Sequence, residues 1–260
     1  MLRRVALALT LAGLLCSGAA AARPVLSQQL LGDVLTLADG RLVVTDTAQG
    51  AVFVLDPARK TGRRAARVPQ ARELERLQDG RVLVTSGANV VAVDLRTGRT
   101  QPYARAAAFL LGIARAGDGT LYGSEEGKTV VRLRPGRRAV LARGLDGVHG
   151  ITVRPGALVL AESYAGRVLR LDLATRRIDV LAEGLGNPSF TLPAPGGGLY
   201  VSEFMGNRIS RLHADGTVTK VAGVPQPGPI AFDTRRRIVG LTFGGTIFRV
   251  EGARARTIYP

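Results

Sequence analysis

Cysteine is almost missing from this chain. Cys16 is the only one in 260 residues, so no disulfide can form within the chain and no thiol chemistry is available beyond that position. Tryptophan is absent, and lysine is confined to Lys60, Lys128 and Lys220. Histidine occurs only at His149 and His213, so any imidazole chemistry rests on one of these two. Helical periodicity is also missing. Beyond residue 24 no ten-residue segment repeats its apolar residues at helical spacing, apart from a weak stretch over 104–111.

The charge is one-sided, at +16, and carried almost wholly by arginine. A basic balance raises the question of nucleic acid or an anionic surface as partner. The arginines are scattered through the chain, with small clusters at Arg63-Arg64, Arg137-Arg138, Arg176-Arg177 and Arg235–Arg237. Scatter of this kind gives no nucleic-acid footprint. Attachment to anionic surface polymers stays open.

The first 22 residues read as an export signal. Arg3 and Arg4 precede the apolar run Val5–Leu15, and a small-residue stretch follows at Gly18–Ala22. Cleavage is expected after Ala21 or Ala22. The run is too short to span a membrane, so no transmembrane segment is expected. Leu15 stands where a lipoprotein site wants a small residue, so no lipid anchor at Cys16 is expected. The expected location is the periplasm or the cell exterior.

What the chain does have is a repeated phrase, a short apolar strand ending in a small or acidic residue. It reads LVVTD at Leu42–Asp46, VLVTS at Val82–Ser86, LYGSE at Leu121–Glu125, LVLAE at Leu158–Glu162, LYVSE at Leu199–Glu203 and IVGLT at Ile238–Thr242. The steps between them are 40, 39, 37, 41 and 39 residues, a period that marks one supersecondary unit copied along the chain. A hairpin signal precedes each phrase: Asp39-Gly40, Asp79-Gly80, Asp118-Gly119, Pro155-Gly156, Gly196-Gly197 and, weakest, Thr234-Arg235. A second β-rich segment follows each phrase, ending at Asp56, Asp94, Arg134, Asp172, His213 and Glu251. Each unit therefore reads as four short antiparallel strands, A to D, and the array as an all-β, six-bladed β-propeller. After the signal at 1–22, residues 23–260 form one domain, with blades over about 32–68, 72–104, 110–143, 148–183, 187–222 and 228–259. An outer strand for the last blade is readable at 255–259, whereas 24–31 could either join that blade or lie across an end.

In such a blade the D-to-A linkers and B-to-C turns share one face, called the top here. Strand A is innermost, so its first residues ring the channel mouth, where ligands bind. His213 falls in a bottom-face turn and reads as an exposed side chain. His149 opens strand A of blade four. If Pro155-Gly156 is a two-residue turn, His149 and Glu162 lie opposite each other, with Cβ atoms about 4.5–5.5 Å apart. That pair reads either as a general acid/base unit or as a hydrogen bond closing the blade. Glu125, Glu162 and Glu203 occupy one repeat position, shared with Asp46, Ser86 and Thr242. These acids could hold Ca²⁺ or Mg²⁺, which want oxygen ligands, or could each accept N–H bonds from a local turn. Asn187, Tyr164 and Phe204 complete the candidate ligand-binding set on the same face.

Three stretches carry a family resemblance. Tyr200–Gly223 resembles an NHL-type repeat. Val148-His-Gly-Ile-Thr152 followed by Leu160-Ala-Glu162 resembles the streptogramin lyase pattern. The array over about 30–258 resembles the SMP-30/gluconolactonase-like propellers. The lyase resemblance implies a bound Mg²⁺ with His149 and Glu162 acting beside it. The acid that lyases carry two residues before the histidine is here Gly147. The lactonase resemblance implies a metal held by a Glu, an Asn and an Asp, and Asn187-Pro188-Ser189 is the approximate counterpart of its asparagine phrase. Three readings follow: an exported propeller binding a small molecule, sugar or protein partner at its top mouth; a metal-dependent lactonase or C–O lyase; and an NHL-type interaction module.

Overall fold

The structure is a computed structural model that describes residues 26–27 and 31–259. The export signal expected over 1–22, Cys16 included, lies outside the described residues. The described chain is all-β. Its strands run in sets of four: β1 Leu31–Thr36, β2 Leu42–Asp46, β3 Ala51–Asp56 and β4 Thr61–Arg67; β5 Ala71–Arg76, β6 Val82–Ser86, β7 Asn89–Val93 and β8 Thr100–Arg105; β9 Leu110–Arg115, β10 Leu121–Glu125, β11 Thr129–Arg134 and β12 Arg137–Arg143. The second half continues with β13 Val148–Arg154, β14 Ala157–Glu162, β15 Arg167–Asp172 and β16 Ile178–Ala182; β17 Pro188–Pro193, β18 Leu199–Glu203, β19 Arg208–Leu212 and β20 Val218–Gly223; β21 Pro227–Phe232, β22 Ile238–Thr242, β23 Ile247–Glu251 and β24 Arg254–Tyr259. Within each set, neighbours in sequence pair antiparallel. The last two sets are also joined at their outer strands by one parallel pair, Gly223 with Arg254. Residues 104–111 are strand and turn.

The repeated phrase is the second strand of each set. In β2, β10 and β14 every residue is buried, because both faces of the strand are covered by neighbouring sets. That explains why the phrase reads as a continuous apolar run rather than an alternation. The fourth strand is the most exposed of its set, with most residues exposed in β4 and β8. The apolar core is correspondingly divided into clusters between adjacent sets: first with second, second with third, and so on to fifth with sixth. The first and last sets meet in the same way, around Val34, Val44, Phe53, Leu241 and Tyr259, with Leu26 plugged into the seam. The innermost strands touch in a closed cycle, β1 to β5, β9, β13, β17, β21 and back to β1.

The inner edges of β5, β9, β13, β17 and β21 expose carbonyls that need donors. Hydroxyls near the ends of the repeated phrase supply several. Ser124 Oγ donates to the Val148 carbonyl at 2.7 Å, Ser163 Oγ to Pro188 at 2.6 Å and Thr47 Oγ1 to Ala71 at 2.7 Å. Close approach of inner strands also needs missing side chains. A Cβ on Gly112 would run into the His149 carbonyl oxygen.

Candidate functional site at the channel mouth

The top mouth holds a cavity of about 250 Å³. Gly32, Arg72, His149, Ser189 and Gly228 line it from equivalent positions at the start of the inner strands. Thr47, Tyr164, Phe204 and Phe243 enter from the B-to-C turns, and Asn187 from a D-to-A linker. Four expected site residues are thus brought together: His149, Asn187, Tyr164 and Phe204. The turn residues are fixed by backbone bonds to the linkers: Phe204 N–H donates to the Asn187 carbonyl at 3.0 Å and Tyr164 N–H to Asp146 at 3.2 Å.

The aromatic rings pair edge to face. His149 and Tyr164 have centroids 5.7 Å apart, and Phe204 and Phe243 5.5 Å. Tyr164 and Phe243 remain 66% and 58% exposed, which leaves much of each ring open to a ligand. Tyr164 packs over Gly147. A Cβ there would lie 2.6–2.9 Å from its ring, and the glycine φ is +74°. The position that carries an acid in the lyase pattern is therefore filled by an aromatic lid.

His149 and Glu162 do not face each other. The hairpin pairs Arg154 with Ala157 and Ile151 with Leu160, as the two-residue turn requires, but a bulge then shifts the register so that Val148 pairs with Glu162. The extra residue of a bulge breaks the alternation on which the expected pair depended. His149 is half-buried, and burial, followed by the Arg72 charge, pushes its pKa down to about 4. Its imidazole is neutral at pH 7.

The three glutamates are not in the cavity lining. Glu162 accepts the Asp146 N–H at 2.9 Å and is held by Arg167 Nε at 2.8 Å. Glu203 accepts the Gly186 N–H at 2.8 Å and Arg208 Nε and Nη2 at 2.7 and 3.0 Å. Glu125 accepts the Ala107 N–H at 2.8 Å and Arg138 Nε at 2.6 Å. Asp46, at the same repeat position, accepts the Ser27 N–H at 2.7 Å and the Gln49 N–H at 2.9 Å. Burial raises the Glu203 carboxyl, but Arg208, Ser210 and the Gly186 N–H outweigh it and hold it below the usual range. Each acid anchors a linker and neutralises or balances local donors. Among the described residues no group of three or more His, Cys, Asp or Glu converges as a metal site. The glutamates, saturated by guanidinium and backbone N–H, do not fit a Ca²⁺ or Mg²⁺ coordination shell.

The sequence reading missed Arg72 and the acids around it. Asp33 accepts the Leu74 N–H at 2.9 Å and Glu75 the Arg115 N–H at 3.1 Å, so both serve the inner edge of the next set. Burial, above all, raises Asp33 and Glu75 to about 7 and Glu73 well above its ordinary value. The signal was present: Arg72-Glu73-Leu74-Glu75-Arg76 is the most charged of the innermost strands. Phe243 was legible too, since it follows Thr242 as Phe204 follows Glu203.

The fold is similar to those of several solved proteins. The virginiamycin B lyase from Staphylococcus aureus superposes with a TM-score of 0.67 at 16% identity, over 90% of this chain and 85% of that one. The gluconolactonase XC5397 from Xanthomonas campestris gives 0.68 at 16%, over 86% and 84%. An auxiliary nutrient binding protein from Bacteroides thetaiotaomicron gives 0.69 at 14%, over 85% and 68%. No protein-family model matches the chain, and no curated protein does.

Proposed function

We propose that this is an exported six-bladed propeller that binds a small molecule at its top channel mouth. The basic, apolar and small-residue order of 1–22 supports export, and the closed cycle of inner strands supports six blades. One observation carries the binding reading. The mouth cavity collects aromatic rings, the Asn187 side-chain amide and a neutral imidazole, while the acids that would complete a metal-dependent reaction are bound to arginines elsewhere. A concave site with few polar groups and several exposed rings is built for ligand capture. The similarly folded auxiliary nutrient binding protein supports this reading.

A second reading keeps a reaction in the same cavity, a lactonase or C–O lyase. It draws on His149, unprotonated at neutral pH and able to accept a proton from a bound molecule. The two separate in one experiment. A fragment library is screened by thermal shift against the mature chain and against Phe204→Ala, and lactone hydrolysis is assayed with EDTA or with added Ca²⁺ and Mg²⁺. Stabilising fragments that lose effect in Phe204→Ala, without turnover, support binding. Metal-dependent turnover abolished by His149→Ala would replace it with the second reading.

A further inference from the structure

We propose that the mouth cavity takes an organic anion, a carboxylate held by Arg72 on an apolar, ring-bearing body seated among Tyr164, Phe204 and Phe243. This inference rests on the binding reading above and names its ligand class.

Among the described residues, Arg72 is the only Arg, Lys, Asp or Glu in the cavity lining. The neutral His149 adds no cation beside it. Three other arginines are held by carboxylates: Arg167 and Arg208 approach Glu162 and Glu203 to 2.7 Å, and Arg138 grips Glu125. Arg72 is different. Its nearest carboxylate oxygen is Glu73 Oε1 at 3.5 Å, too long for a hydrogen bond, and its Nε is buried without a hydrogen-bond acceptor. Glu73 Oε1 is likewise buried and without a hydrogen bond. A guanidinium carries five donors in a planar fork that suits a carboxylate, and a buried donor left without an acceptor is costly. A bound anion would supply acceptors to the Arg72 side chain where it lines the cavity.

The rest of the cavity suits the body of such a ligand. Tyr164 and Phe243 present open faces at the lip, and Phe190, Pro229 and Leu241 line the cavity with them. Among the described residues the Asn187 side-chain amide makes no hydrogen bond, and Asn187 sits at a left-handed φ of +58° on the rim. It can serve a ligand polar atom. About 250 Å³ suits a compact molecule rather than a polymer chain, and among the described residues no carboxylate lines the cavity to attract a cation.

The test is a matched pair of probes, 3-phenylpropanoate and its neutral amide, titrated calorimetrically at low salt into the mature chain, Arg72→Gln and Phe204→Ala. The expected result is that the carboxylate binds about tenfold tighter than the amide. In Arg72→Gln that preference falls to within about twofold, and in Phe204→Ala both probes weaken together. Arg72→Lys, which keeps the charge, retains part of the preference and guards against misreading an unfolded glutamine variant, whose thermal midpoint is also recorded. Equal binding of the two probes to the unsubstituted chain, or a preference that survives in Arg72→Gln, overturns the anion inference and leaves the binding reading standing. No binding of either probe at millimolar concentration overturns the inference, and the fragment screen then decides the binding reading separately.

Discussion

The Arg72 Nε lies 3.5 Å from Glu73 Oε1, and neither atom has a hydrogen-bond partner. The pair sits in an inner strand with Glu75, across from Asp33 on β1, near Arg115 on β9 and His149 on β13. Burial rather than pairing sets the protonation of these acids.

That environment makes stability depend on pH. Asp33 and Glu75 have folded pKa values raised to about 7, so the folded chain binds protons more tightly than the unfolded one. Their contribution is full below the unfolded carboxylate pKa and is lost as pH rises through about 7. Glu75→Gln should therefore flatten the fall in stability between pH 5 and pH 8 by about 1–2 kcal/mol, after discounting for the partial exposure of Glu75. His149 acts in the opposite sense. Its pKa is lowered to about 4, so its contribution is present above its unfolded pKa and is lost as pH falls towards 4. His149→Gln should flatten the acid side. Denaturant titrations of both variants at four pH values measure this, and parallel curves for variant and parent would contradict it.

Glu203 is fully buried and bound by Arg208, Ser210 and the Gly186 N–H. Glu203→Ala should cost about 3–5 kcal/mol, since it strands a charged partner and frees the linker. Urea unfolding reads the loss. A change under 1 kcal/mol, together with loss of tight Ca²⁺ binding, would return the acid column to a metal role.

Gly147 has φ +74° and no room for a Cβ beneath the Tyr164 ring. Gly147→Ala should destabilise by about 1–3 kcal/mol and displace Tyr164 from His149. The His149 ring proton shifts report the displacement directly. An unchanged His149 spectrum in a stable variant would show that the Tyr164 position is not set by this glycine.

Leu26 is 2% exposed in the seam between the first and last sheets. Leu26→Ala should cost about 2–4 kcal/mol, and a mature chain trimmed past this residue should lose a similar amount. Equal unfolding midpoints for trimmed and untrimmed chains would contradict its role in closing the ring.

The repeated phrase was legible because its chemistry is repeated. Both faces of that strand are buried, so apolar runs recur, and the spans Leu42–Asp46, Val82–Ser86, Leu121–Glu125, Leu199–Glu203 and Ile238–Thr242 coincide with strands. Asp39, Asp79 and Asp118 mark turns because their carboxylates accept the N–H two residues on. The bulge before Ile151 was not legible. One extra residue between Val148 and Ile151 leaves no mark of its own in VHGI, yet it moves Glu162 from His149 to Val148. The use of the acids was hidden for another reason. Arg167 and Arg208 stand directly across from Glu162 and Glu203, a cross-strand relation that becomes visible only once the register is known. Arg72 was obscured by the abundance of arginine, and what sets it apart is its place in the cavity lining with a buried Nε that makes no hydrogen bond.

The central claim is that the top mouth binds a small molecule. Its most direct test is two-dimensional amide NMR of the isotope-labelled mature chain, titrated with 3-phenylpropanoate. The account predicts saturable shifts confined to Arg72, His149, Tyr164, Asn187, Phe204 and Gly228 and their neighbours. Shifts spread over the arginine-rich turns of the opposite face, with none at these positions, would contradict it.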